Sequence, residues 1–284
     1  MVAMGPPVEP PYRFGELLVV ERGRLLEELR AVAGAGWQKP TPCPGWSVHA
    51  LCCHLVGDDV SLLSRHRDGY HGTVPPAGLD EQGFIGWLDD LQAEWVHAAR
   101  RLSPRLIVEL LQWAGPQLAA VLSGQDAGAR TARVSWAGPD PVPVWLDHVR
   151  ELSEYWIHRQ QLRQALGHDP DLRPDLAVPV LDGLRWAYPF RLGKVRAERG
   201  DTLTLSVHGP ATITWHLVAG PAGWAFRDAP GRRLVAQVSM TTDQAWRLLT
   251  NNLPAGHLRQ LQVSGDPQIT GMVLRTRAII GAPK

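Results

Sequence analysis

The stretch TPCPGWSVHALCCHL, residues 41–55, changes character at its middle. Pro42, Pro44 and Gly45 break regular structure, so residues 40–46 read as a loop. Ser47 stands where an N-cap belongs, and the apolar run behind it predicts a helix over about 48–66. Upstream, residues 14–33 carry Leu17, Leu18, Leu25, Leu29 and Val32 at near-helical spacing. Downstream, a Gly/Pro-rich loop (68–80) leads to a helix over about 81–101, with Phe84, Leu88, Leu91 and Trp95 on one face. Ser103-Pro104 reads as an N-cap followed by proline at N1, opening a helix to about 123 with a kink expected before Pro116. After the breaker-rich GPDPVPV (138–144), one more helix covers about 144–166 and ends at Gly167.

The second half reads differently. DPDLRPD (169–175) is followed by an apolar stretch to about 192 that fits either helix or strand. Residues 202–209, 212–220, 223–228 and 233–240 alternate or are β-branched between turn residues, and read as strands. A helix at about 242–250, a short strand at 261–265 and a last helix at about 266–280 follow. The expectation is an α bundle followed by a smaller α+β domain, divided as 1–168 and 169–284.

Composition narrows the function classes. With 29 basic against 28 acidic residues in 284, the net charge is +1, and no basic field calls for nucleic acid or an anionic membrane surface. No apolar run approaches the roughly 18 residues of a membrane span, and the N-terminus lacks a charged-then-apolar signal pattern. The expected location is the cytoplasm. Cys43, Cys52 and Cys53 make no disulfide framework and lack metal-binding spacing. Cys52 and Cys53 read as small core residues, and Cys43 as packing in the loop. Twelve of the aromatics are tryptophan, and 26 of the 29 basic residues are arginine, the mark of a GC-rich genome.

Chemistry points to three residues. Glu154 and His158 sit four apart in RELSEYWIH (150–158), on one helix face, about 6 Å from each other. His54 lies on the second helix, with Asp58 four residues on as a candidate partner. Two imidazoles and a carboxylate can share a divalent metal and leave a coordination position open. Spacing alone also allows a plain reading. Trp145, Val149, Leu152 and Trp156 form the apolar stripe of the last bundle helix, and Glu154 and His158 fall opposite it, as a solvated face would.

TPCPGWSVHALCCHL and RELSEYWIH, about 100 residues apart, together resemble two sequence boxes of the mycothiol-dependent maleylpyruvate isomerase family, within the DinB-like metal-binding superfamily. The resemblance covers roughly residues 14–167 and extends weakly to the C-terminal half. It implies a DinB-like four-helix-type bundle with His54, Glu154 and His158 as metal ligands, zinc as the usual metal, and mycothiol, an actinobacterial thiol, as cosubstrate. It further implies a thiol activated as a metal-bound thiolate, which attacks a small electrophilic substrate by isomerisation or S-transfer. Many relatives carry Asp where this chain has Gln161. An arginine of the C-terminal domain serves an anionic substrate in the family; Arg247, Arg275 and Arg277 are the candidates here, with Trp46 and Arg150 as candidates for substrate contact. The alternative is a non-catalytic, regulatory metal-binding DinB-like protein. Neither reading names the electrophile or the oligomeric state.

Overall fold

Ser47 caps the second helix as its position predicts, its Oγ accepting the Ala50 N–H. Asp80 and Ser103 do the same for the next two helices, accepting from Gly83 and Leu106 N–H. The structure, a computed structural model, describes residues 5–130, 134–254 and 256–278. In chain order it contains α1 (Phe14–Ala31), α2 (Val48–Leu62), α3 (Glu81–Ala99), α4 (Pro104–Gly124), α5 (Val144–Leu166), α6 (Pro174–Leu184) and α7 (Ala187–Leu192). Then follow β1 (Asp201–His208), β2 (Ile213–Gly220), β3 (Gly223–Arg227), β4 (Arg233–Thr241), α8 (Thr242–Leu249), β5 (Gln262–Gly265) and α9 (Pro267–Arg275).

The elements follow the expected order, with three adjustments. The ambiguous stretch before residue 192 is two helices, α6 and α7, and α6 begins with Pro174 in its first turn. The second helix stops being α-helical at Leu62 and ends in a π turn, Leu63–Arg67. The last helix ends at Arg275 rather than near 280, with Thr276 extended, so Arg277 lies beyond it. Residues 279 and 280 fall outside the described residues. Pro116 sits within α4, which continues to Gly124.

The chain folds as two compact units. One comprises Arg13–Asp126 and Glu151–Pro170; the other comprises Ala127–Arg150 and the chain from Asp171 on, together with the segment before Arg13. The expected division at 168/169 lies beside the last crossing. At the earlier crossings, Trp136 and Trp145 bond to other segments of the second unit: their indole N–H groups donate to Gly183 O (3.3 Å) and Pro7 O (2.7 Å).

The first unit is helical. Its core gathers Leu18, Leu25, Leu29, Leu51, Cys52, Leu55, Ile107, Leu111 and Leu162, each leucine contributing about 2 kcal/mol on burial. By length and composition α4 could cross a membrane, contrary to the sequence expectation, with a mean hydropathy of 1.3. Here Ile107, Leu111, Ala114, Leu118 and Leu122 bury one of its faces.

Between α1, α2 and α5 the unit also buries charge. The Arg22 guanidinium grips Asp59 through two bonds of 2.8 and 2.7 Å and donates to Leu111 O at 2.7 Å. Tyr155 OH donates to the same carboxylate. Gly115 leaves the room Arg22 needs, since a Cβ there would stand 2.7 Å from Arg22 Nε. Arg159, fully buried, donates to Glu21 (2.9 Å) and Glu28 (2.9 Å), and Arg163 also reaches Glu28 at 2.7 Å.

The second unit carries a five-stranded mixed sheet in the order β3-β2-β1-β4-β5. β1 pairs antiparallel with β2 and parallel with β4, with a register shift at Thr202/Leu203. Leu203, Leu205, Val207, Leu217, Val238 and Met240 are buried along it. A capping box at Thr241 and Gln244 starts α8 directly from β4.

Candidate metal centre

Ser47 starts α2 so that His54 falls two turns in, and the i, i+4 spacing on α5 stacks Glu154 and His158. Packing within the helical unit joins the two helices at one point. His54 Nε2 and His158 Nε2 each lie 2.8 Å from the same atom, Glu154 Oε1. The three ligand atoms all lie within 4.8 Å of one another. The two imidazoles meet edge to face at 4.9 Å. Their side chains are 8% and 12% exposed against 25% for Glu154, so the carboxylate is the member solvent reaches most.

The side of α5 opposite the tryptophan stripe is only partly solvated: Arg150 is exposed, Glu154 and His158 are half-buried, and Gln161 is buried. An isolated helical wheel cannot register that a helix is covered on more than one side.

Each imidazole is held at its other nitrogen. His54 Nδ1 lies 3.0 Å from Gln92 Oε1, and Gln92 Nε2 donates to Asp58 Oδ1 at 2.8 Å. His158 Nδ1 lies 2.7 Å from Gln161 Oε1, which also accepts a hydrogen bond from the Cys43 S–H at 3.1 Å. Asp58 Oδ2 stands 3.2 Å from His54 Nε2. The Trp46 ring packs beside His54 with centroids 5.0 Å apart. Trp95 on α3 donates to Cys53 O at 2.8 Å and tethers that helix to α2.

The donor set fits a divalent ion. A neutral imidazole has one N–H, and in both rings Nδ1–H is directed at an amide oxygen. Nε2 of both rings then presents a lone pair to a carboxylate oxygen. Such convergence is stable only with positive charge between the groups, as protons or as a cation. Two imidazole nitrogens and one carboxylate oxygen are also the donors of three-ligand zinc sites. With protons alone, burial opposes the charged form of His158, yet Glu154 beside it holds its pKa well above the usual range. Burial likewise opposes ionised Glu154, but His158 and His54 keep its pKa well below the usual carboxylate range.

The arginine candidates make contacts of their own. Arg150 is exposed and pairs with Asp147 at 3.0 Å. Arg247 is bound to Asp243 on its own helix at 2.8 Å and packs over Trp246. Arg275 is exposed, and Arg277 donates to Leu274 O and Thr276 O at 2.9 and 2.8 Å. All four belong to the sheet-bearing unit. Cys52 and Cys53 are buried as expected, and burial pushes the Cys53 thiol up to about 11. Gln92 was missed: it lies on a different helix from either histidine, at no telling spacing. Gln161 was visible as a departure from the family pattern, without its contact to His158.

Comparison with known proteins bears on this geometry. The family described as "Mycothiol maleylpyruvate isomerase N-terminal domain" matches residues 18–163. Two uncharacterized proteins from strains of Mycobacterium tuberculosis, MT0041 and Rv0036c, are 26% identical over 189 residues. That match spans 63% of this chain and 66% of each relative, just short of two thirds of their length. The crystal structure of the mycothiol-dependent maleylpyruvate isomerase superposes with a TM-score of 0.54 at 16% identity, covering 92% of this chain and 95% of that one. A histidine-to-alanine mutant of that enzyme superposes equally, at 15% identity. At these identities the likeness is one of fold.

Proposed function

Because the chain belongs to the mycothiol maleylpyruvate isomerase N-terminal domain family, we propose that it is a metal-dependent enzyme that uses mycothiol to transform a small electrophile. The observation that carries the reading is the convergence of His54 Nε2 and His158 Nε2 on one oxygen of Glu154 at 2.8 Å. A divalent ion held by His54, Glu154 and His158, zinc by the resemblance, would supply the positive charge that deprotonates an entering thiol at neutral pH.

The chain's own residues do the rest. Glu154 keeps a carboxylate at the solvent-reached side of the group, and Trp46 shields the His54 ring on its flank. No protein nucleophile is required, since the thiol is the attacking group. Addition of its sulfur to an electron-poor double bond leaves a single bond free to rotate. Expulsion of the same sulfur then completes an isomerisation with the thiol regenerated. Displacement of a leaving group, which departs with its electron pair, gives S-transfer instead.

The test is turnover of maleylpyruvate and a panel of other electrophiles with mycothiol, before and after chelation and after zinc is restored. Turnover that depends on both thiol and metal is expected. Turnover indifferent to chelation would refute the metal-dependent reading, and turnover without thiol would refute the cosubstrate.

A further inference from the structure

Both ligand imidazoles are held at the nitrogen facing away from Glu154, and both holders are glutamines. Gln92 Oε1 stands 3.0 Å from His54 Nδ1 while Gln92 Nε2 donates to Asp58 Oδ1 at 2.8 Å. A carboxylate can only accept, so this second bond decides which end of the amide faces the ring: the carbonyl does. At the other imidazole, Gln161 Oε1 stands 2.7 Å from His158 Nδ1 and accepts the Cys43 S–H at 3.1 Å. There too the ring meets an acceptor.

We propose that Gln92 and Gln161 are the positioning residues of the metal centre. Each fixes one ligand imidazole as the Nδ1–H tautomer, so that Nε2 is the metal-binding nitrogen of both rings. The inference rests on the metal-centre reading above and extends it from the three ligands to the residues that aim them.

The two holders arise differently. Gln161 is one turn on from His158 along α5, so local helix geometry delivers it. Gln92 comes from α3, which contributes no ligand. Its reach is secured twice, by Asp58 one turn on from His54 and by Trp95, one turn on from Gln92, whose indole donates to Cys53 O at 2.8 Å. Gly57 permits that approach, since a Cβ there would stand 2.4 Å from the Trp95 ring. The role of α3 is thus to orient His54. Both holders are also neutral. An amide carbonyl aims an imidazole without adding negative charge, whereas a carboxylate in the same place raises ligand basicity.

The test is zinc affinity, measured by competition with a chromophoric chelator. The visible spectrum of the cobalt-loaded protein and the imidazole nitrogen shifts of the zinc-loaded protein read out ligand geometry. Gln92→Leu and Gln161→Leu are each expected to weaken zinc by about 10–100-fold and to change both spectra. Gln161→Glu, which keeps an acceptor, is expected to bind at least as tightly as the parent. Circular dichroism of the metal-free variants shows whether the fold is kept; if a leucine variant does not fold, Gln92→Met and Gln161→Met lack the acceptor at closer shape. Folded variants that bind zinc within about twofold of the parent, with unchanged spectra, overturn the positioning role. A parent protein that binds neither zinc nor cobalt overturns the metal reading beneath it.

Discussion

Two polar clusters share helix α5, and they are built on opposite plans. Tyr155 and Arg159 face Asp59, Glu21 and Glu28, where each buried charge meets its opposite. Glu154 and His158, each one residue earlier along the same helix, face His54, where two imidazole nitrogens converge on one carboxylate oxygen. The first arrangement closes electrically by itself and acts as structure. The second closes only with added positive charge, from protons on the imidazoles or from the cation proposed above. Burial alone does not separate the two clusters; the balance of charge within each does.

The contrast can be broken most forcefully on the closed side. Arg159→Ala takes the buried guanidinium from Glu21 and leaves Glu28 with Arg163, and is expected to cost about 3–5 kcal/mol of folding stability, read as a large fall in the midpoint of thermal or urea unfolding. A loss under about 1 kcal/mol would mean that this network behaves like a surface pair. On the open side, His54→Ala removes a donor and should lower zinc affinity by at least about 100-fold, beyond what losing one supporting contact costs. The metal-free variant should shift its unfolding midpoint less than Arg159→Ala does. Retained stoichiometric metal in dialysed protein would contradict the ligand set.

A third substitution tests the link between packing and the centre. Gly57→Ala drives a methyl group into Trp95 and should cost about 1–3 kcal/mol through overpacking, while weakening zinc because Gln92 moves with α3. Unchanged zinc affinity at reduced stability would separate α3 packing from the site. The smallest effect is expected at Asp201 in the sheet-bearing unit. The Arg233 hydrogen bond holds its carboxyl below the usual range. A depressed folded pKa contributes stability above the unfolded value of about 3.9 and loses it as pH falls through the folded value. Asp201→Asn should therefore slightly flatten the acid limb of a stability–pH curve and leave the curve above about pH 5 parallel to the parent's.

Much of this molecule is legible in short windows of its sequence. Ser47 and Ser103 announce their helices because a cap is a contact within three residues. The strands β1 to β4 show as alternation between turn residues. The resemblance of two short boxes pointed to His54, Glu154 and His158, which the fold brings together. Windows failed where a decision needed a distant partner. The stretch before residue 192 was apolar enough for strand or helix, and burial of Leu176, Val180, Leu181 and Leu184 along α6 shows which. Gln92 carried no signal, because its meaning depends on α3 lying against α2.

By itself, then, the sequence determined where helices begin, which residues share a face, and that Glu154 and His158 stand one turn apart. Helix geometry and capping act over three or four residues, so the chain order contains them. Tertiary structure decided which polar groups on α5 meet opposite charges and which converge with His54 on one carboxylate oxygen. It also decided that Gln92 meets His54, and that Ala127–Arg150 belongs with the residues after Asp171. Those outcomes depend on which side chains meet across a packed core, where burial turns a charge into a group that must find its partner.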